Sequence, residues 1–242
     1  MQDRLTQDTF FNGKVTVRQE RMGYRFSIDA VILAHRVRPK LGERVVDLGT
    51  GCGIVPLIIG FRYPEIQMFG IEIQKELADI ADNNVRDNGM ERNIRIFCRD
   101  IRNIQPVMFK GPVDIVVSNP PFHKAASGRI NPNRQRAVAR HEIRVTLIDV
   151  IKAAGDLLKR AGLFVLVYTP ERLPELVQHM RSCRVEPKNV RFIHSREKSE
   201  SKLMLVEGVK QGKPGLKVEP PIVIYNEDGT YTEEVEAMFR PS

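Results

Sequence analysis

The sequence predicts an α/β chain built on a doubly wound sheet of seven strands, mostly parallel, with an antiparallel edge hairpin. Three observations carry this expectation. From about residue 43 to residue 183, short β-branched runs alternate with amphipathic segments of helical period. Three closely spaced glycines separate the first of these strands from the helix that follows it. Beyond Cys183 the alternation gives way to two strands joined by the polar stretch "REKSES", the pattern of a closing antiparallel hairpin. The length of 242 residues suits one domain. It divides into an N-terminal hairpin-and-helix elaboration, residues 1–42, packed on a core spanning residues 43–242.

Taken in order, "FFNGKVTV" (residues 10–17) fits a hairpin turning on Asn12 and Gly13. "SIDAVILAHRV" follows with helical spacing, and Ser27 stands at its N-cap position. "RVVDLG" is the first buried strand, and residues 54–61 form a short helix that stops before Pro64. "QMFGIEI" is a strand, and residues 74–88 form a helix closed by Gly89. "IRIFCRD" and "VDIVVS" are the third and fourth core strands. "TLIDVIKAAGDLLKRAG" predicts an amphipathic helix over residues 146–162 capped by Gly162, before the strand "LFVLVYT". "ERLPELVQHMRSC" is a helix with Pro174 in its first turn, "NVRFIHS" and "KLMLVEGVK" make the hairpin, and "PIVIYN" offers one more strand.

Composition narrows the class. An apolar share of 42% supports a real core and excludes a disordered chain. No apolar run approaches the length that spans a bilayer, and "MQDRLTQDTF" lacks the basic-then-apolar order of a signal peptide, so a cytoplasmic location is expected. Three widely spaced cysteines, Cys52, Cys98 and Cys183, form no C-x-x-C pair, so neither a disulfide framework nor a metal site is expected. Lys and Arg number 38 against 30 Asp and Glu, a net charge of +8 that attracts polyanions, nucleic acid first among them.

The chemistry concentrates at predicted strand ends. "VVDLGTGCGIVPL" places Gly49, Gly51 and Gly53 in the turn after the first core strand, where ligands of doubly wound sheets bind. A dinucleotide fingerprint requires a third glycine where Ile54 stands. The form present is D-x-G-x-G-x-G, and Asp47 beside the loop suits an ammonium-bearing ligand better than a pyrophosphate. Glu72 closes the next strand, 25 residues after Asp47, and Asp100 closes the one after. With these motifs in this order, residues 43–169 resemble the class I S-adenosylmethionine-dependent methyltransferases and their Rossmann-like sheet. The resemblance implies S-adenosylmethionine as cofactor, with the glycine loop on its methionine moiety and Asp47 on its amino group. It places Glu72 at the ribose hydroxyls and Asp100 at the adenine amino group, and it extends the cofactor set to Thr50, Ile73, Ile101 and Asn119.

"SNPPF" ends the fourth core strand abruptly. An exocyclic amino group is a poor nucleophile because its lone pair is conjugated. Two acceptors on its two hydrogens favour a pyramidal nitrogen and localise that pair. The side-chain oxygen of Asn119 and the carbonyl of Pro120 supply two acceptors, and the prolines hold the backbone extended without competing donors. Phe122 can stack on the flat group, an interaction worth roughly 1–3 kcal/mol for a base. Asn119, Pro120 and Phe122 are therefore the candidate catalytic residues, acting by positioning. N-P-P-[YF] at this place is the signature of amino-nitrogen methyltransferases within the class.

Adenine-N6, guanine-N2 and protein-glutamine enzymes share that signature. Only 44 residues precede Val45, and they begin as a hairpin, which does not fit the helical domain of the glutamine enzymes. "GYRFSIDAVILA", "HKAASGRINPNRQRAVARHEI" and "KLMLVEGVKQGKPGLKVEPPIVIY" resemble the bacterial family that methylates N6 of adenine 37 in a valine tRNA. Phe122 in place of tyrosine, and His123 after it, keep ribosomal guanine-N2 methylation as the alternative; a non-catalytic RNA-binding module is the alternative of another class. The loop from His123 to Arg144 carries Lys124, Arg129, Arg134, Arg136, Arg140 and Arg144 against the single acid Glu142. The first five of these cations are the candidate RNA contacts, since phosphate contacts dominate affinity for nucleic acid. His141 and Glu142 have a structural reading, because the product ammonium loses its proton to water without a base. Ser27 and Asp29 are read as helix-start residues, in a segment that the resemblance places beside the cofactor.

Overall fold

The computed structural model describes residues 5–21, 28–120 and 145–240. β1 (Leu5–Phe10) and β2 (Val15–Glu20) form an antiparallel hairpin, longer at both ends than the eight-residue pattern predicts. Its turn places Phe11, Asn12 and Gly13 at φ of 54°, 57° and 82°, and the Asn-Gly pair tolerates that left-handed run. α1 (Ile28–Arg36) buries Asp29 through Ala34. β3 (Arg44–Leu48), α2 (Ile54–Arg62), β4 (Gln67–Glu72), α3 (Lys75–Asp87), β5 (Ile94–Cys98) and β6 (Val113–Ser118) follow. α2 is apolar on every side because it is covered on every side; residues 54–60 are all buried.

α4 (Leu147–Leu157) starts on a capping box in which Thr146 and Asp149 bond each other's backbone N–H. This helix is five residues shorter than the pattern predicts, and Gly162 is not its cap. β7 (Leu158–Tyr168) takes those residues instead, because Leu158 pairs with Val113 of β6 across a register shift. Gly162 serves a close approach, since a Cβ there would lie 2.9 Å from the Lys159 carbonyl oxygen and 3.1 Å from that of Asp114. α5 (Leu173–Ser182), β8 (Val185–His194) and β9 (Ser201–Lys210) come next. The chain finishes with β10 (Lys217–Val218), β11 (Ile222–Val223) and α6 (Glu233–Ala237).

The sheet runs β10-β8-β9-β7-β6-β3-β4-β5, with β11 beside β10 on β8. Seven strands are those the sequence predicts, β11 lies within the further strand offered by "PIVIYN", and the two-residue β10 is an addition at the same edge. β9 alone runs against its neighbours, so the hairpin is antiparallel and the rest of the path parallel. Side chains alternate between faces as a strand period of two requires. Val45, Ile115, Val117 and Val165 face the core under α1, α2 and the N-terminal hairpin. Val46, Val116, Phe164 and Leu166 face the core under α4 and α5. No described helix is long and apolar enough to cross a membrane.

Candidate active site

β3 lies between β4 and β6, and the chain winds outward in opposite directions from it. Ligands of doubly wound sheets bind at the carboxyl ends of the strands at such a switch point. In strand order β5, β4, β3, β6, the edge carries Asp100, Glu72, Asp47 with the glycine loop, and Asn119. Three strand spacings make this row about 15 Å long, enough for an extended nucleoside-sized ligand.

The loop after β3 is held by the backbone of β4. The N–H groups of Gly49 and Thr50 both donate to the Ile71 carbonyl, each at 2.9 Å. Gly49, Gly51 and Gly53 adopt φ of 79°, 58° and 85°, a left-handed run that favours glycine. A Cβ on Gly49 would meet nothing within 4 Å, so open space lies against this turn. Gly53 also packs against α3, where a Cβ would sit 3.1 Å from that of Ala81.

Glu72 spans the junction. Its Oε2 accepts from Gly51 N–H at 3.0 Å, and its Oε1 accepts from Gln74 N–H at 2.9 Å. Burial raises the Glu72 carboxyl above the usual range, and hydrogen bonding from the backbone of Gln74, Gly51 and Ile73 and from the Gln74 side chain opposes that rise. Asp47 is almost wholly buried, and burial pushes its carboxyl up to about 7, with the Glu72 charge acting in the same direction. Among the described residues neither its Oδ2 nor Oγ1 of Thr50 makes a hydrogen bond of good geometry, although the Thr50 hydroxyl acts on the Asp47 carboxyl against the rise. Such groups are costly when unsatisfied, and an ammonium-bearing ligand would supply what they lack.

Asp100 caps a short 3-10 turn by accepting from Arg102 N–H at 2.9 Å, and the Arg102 guanidinium grips the same carboxylate. That hydrogen bonding holds the Asp100 carboxyl below its usual range. Ile101 is buried in the second core, whereas Ile73 is half-buried and offers its carbonyl to Cys98 Sγ at 3.9 Å. Among the described residues no group of three or more His, Cys, Asp and Glu could hold a metal ion.

Asn119 is buried at the end of β6, next to Ser118, whose hydroxyl donates to the Leu48 carbonyl at 2.7 Å and ties β6 to β3. The Asn119 amide Nδ2 donates to Asp29 Oδ2 at 2.9 Å, and its buried Oδ1 has no partner among the described residues. The residues alone read Asp29 as a helix start, and the resemblance places its segment beside the cofactor without pairing it to Asn119. Its contact lies 90 residues along the chain, and no local pattern reveals such a pairing. Thr169, just past β7, likewise has a buried Oγ1 with no partner among the described residues. Pro120 is described, whereas Phe122, His123, Lys124, Arg129, Arg134, Arg136, Arg140, His141 and Glu142 lie outside the described residues, as does Ser27.

Comparison with known proteins places this site in context. The sequence model of a family described as methyltransferase small domain matches residues 25–193. A relative from Porphyromonas gingivalis named tRNA1(Val) (adenine(37)-N6)-methyltransferase is 28% identical, over 83% of this chain and 80% of its own. One of the same name from Tolumonas auensis is 26% identical, over 91% of this chain and 90% of its own. Among solved structures, a predicted O-methyltransferase from Agrobacterium tumefaciens superposes with a TM-score of 0.69 at 20% identity. It covers 86% of this chain and 94% of that one, and at such identity it speaks for the fold alone.

Proposed function

The chain belongs to the methyltransferase small domain family, and from that premise we propose that it methylates the exocyclic N6 of an adenine in RNA, adenine 37 of a tRNA. The observation that carries this reading is the buried Asn119 Oδ1 at the end of β6, an acceptor with no partner among the described residues, beside Pro120 at the carboxyl edge of the sheet. An acceptor kept out of water and unpaired is costly unless a ligand donor completes it. The N6 amino group of adenine is such a donor. The names of the relatives from Porphyromonas gingivalis and Tolumonas auensis support adenine and tRNA as the substrate.

S-adenosylmethionine, when bound, supplies an electrophilic methyl group on a sulfonium. The residues present fit it: Asp47 and the open turn at Gly49 would hold the methionine moiety, with Thr50, Gly51 and Gly53 completing the loop. Glu72 and Ile73 would take the ribose, and Asp100 and Ile101 the adenine ring. Asn119 Oδ1 and the Pro120 carbonyl would accept the two hydrogens of the substrate amino group and localise its lone pair. Phe122 would stack on the base and hold it in line. Orientation then supplies most of the rate, and no general base is required.

Lys124, Arg129, Arg134, Arg136 and Arg140 would clamp phosphates flanking the target. An unpaired anticodon-loop adenine enters such a pocket with less unstacking than a duplex base. The same reading makes the protein cytoplasmic and residues 1–42 an elaboration packed on the catalytic core. Labelled methyl transfer to total RNA from a strain lacking the gene, followed by nucleoside digestion, tests it. Label in N6-methyladenine is expected. Label in N2-methylguanine favours the alternative that His123 raises, and label in protein alone contradicts an RNA substrate.

A further inference from the structure

An asparagine side chain has two ends of nearly equal shape and opposite chemistry. A half-turn about its last bond exchanges an acceptor oxygen for a donor nitrogen. A site that needs an acceptor therefore needs something to forbid the half-turn. Asn119 is buried, and its only hydrogen bond among the described residues runs from Nδ2 to Asp29 Oδ2, at 2.9 Å and in a buried setting. A carboxylate accepts and cannot donate, so it selects the rotamer with nitrogen toward Asp29 and oxygen away from it.

The place of Asp29 is itself fixed. It sits in the first turn of α1, and Arg36 in the last turn of that helix is clamped to the sheet. Arg36 Nε donates to Glu207 of β9 at 2.5 Å, and its two terminal nitrogens donate to Glu219, just past β10, at 2.9 and 2.6 Å. Glu207 is nearly buried and is held in turn by the Asn189 amide of β8. Residues 30–34 of α1 are in the core, so the helix is a rigid strut of about 10 Å between that clamp and Asn119.

We infer that Asp29 is a positioning residue for methyl transfer: its buried carboxylate holds the Asn119 amide so that Oδ1, and never Nδ2, faces the substrate amino group. This rests on the adenine-methylation reading, because only an amino-group substrate needs that oxygen. Asp29 touches neither reacting atom in this account. Its effect falls on kcat and leaves cofactor affinity alone. A residue that instead held the cofactor would show the reverse.

The test uses the purified full chain, a tRNA transcript and labelled cofactor, with Asp29→Leu, Asn119→Asp and the exchange Asp29→Asn/Asn119→Asp. Asp29→Leu is expected to lower kcat on the order of 100-fold, as loss of a near-attack geometry does, with calorimetric cofactor affinity unchanged. Asn119→Asp sets two carboxylates face to face and is expected to lose at least as much. The exchange restores a donor facing an acceptor and keeps an oxygen toward the substrate, so it should recover kcat to within about tenfold of the native protein. Recovery by exchange distinguishes positioning from a fold defect, which Asp29→Leu alone could cause. An exchange variant no better than Asn119→Asp, or an Asp29→Leu protein with native kcat or with lost cofactor binding, overturns the inference and leaves the function standing. A native protein that moves no methyl to adenine overturns the underlying reading and this inference with it.

Discussion

The side-chain amide of Asn84 pairs with the backbone of Arg18 as a neighbouring strand would. Its Oδ1 accepts from Arg18 N–H at 2.9 Å and its Nδ2 donates to the Arg18 carbonyl at 2.8 Å. One turn along α3, Asn88 repeats the pattern with Thr16, at 2.8 and 2.7 Å. Thr16 and Arg18 are two residues apart on β2, a rise of about 6.8 Å that roughly matches the 6 Å between residues i and i+4 of a helix. The N-terminal hairpin thus docks edge-on to α3 through side chains. Asn84 also donates to the Cys52 carbonyl at 2.9 Å, which ties the docked hairpin to the glycine loop.

Asn84→Ala leaves the part-buried N–H and carbonyl of Arg18 and the buried Cys52 carbonyl without this partner, and should destabilise the protein by about 2–4 kcal/mol. Asn88 is less buried and has no link to the loop, so Asn88→Ala should cost about 1 kcal/mol. Urea unfolding of both variants checks the order. Equal losses would mean that the Cys52 bond contributes nothing.

If Asp47 holds the cofactor as proposed, its carboxyl should give cofactor binding a pH dependence. Burial chiefly raises its pKa from 3.8 to about 7, which brings the ionisation of this carboxyl close to neutrality. A cationic ligand selects the ionised form. Affinity for S-adenosylmethionine should therefore rise with pH through 7, about tenfold between pH 6 and pH 8, with a proton released on binding at the lower pH. Calorimetry in buffers of different ionisation enthalpy measures both effects. Asp47→Asn should weaken binding and abolish the dependence, and an unchanged slope would assign it to another group.

The strand–helix alternation was legible because each strand runs in β-branched residues and each helix in its own period. The carboxylates at the strand ends were legible because parallel topology brings all such ends to one edge. Residues 158–162 were misplaced because "LLKRAG" fits a helix, while only the register of β7 against Val113 shows that it joins the strand. Asp29, Asn84 and Asn88 were not legible in these roles, since each acts on a partner 66 to 90 residues distant. A helix-start acid and two helical amides read as solvated until the partner element is in place.

The basic loop is expected to govern RNA affinity and not chemistry. Arg134→Ala with Arg136→Ala should weaken tRNA binding and lower the slope of log affinity against log salt by about two. Filter binding at several salt concentrations measures the slope. A loss of affinity at constant slope would move these arginines away from phosphates.

Asn119→Ala removes the acceptor and keeps the cofactor loop. Turnover should fall by at least about 100-fold, with calorimetric cofactor affinity little changed. Loss of cofactor binding of similar size would assign Asn119 to the cofactor and leave the substrate amino group without its acceptor.

The most direct measurement compares methyl incorporation into two valine tRNA transcripts that differ only at position 37, one with adenine and one with guanine. One methyl group per tRNA is expected with adenine, recovered as N6-methyladenosine, and background incorporation with guanine. Equal incorporation into both transcripts, or a product other than N6-methyladenosine, would contradict the assignment of the Asn119 site to the amino group of that adenine.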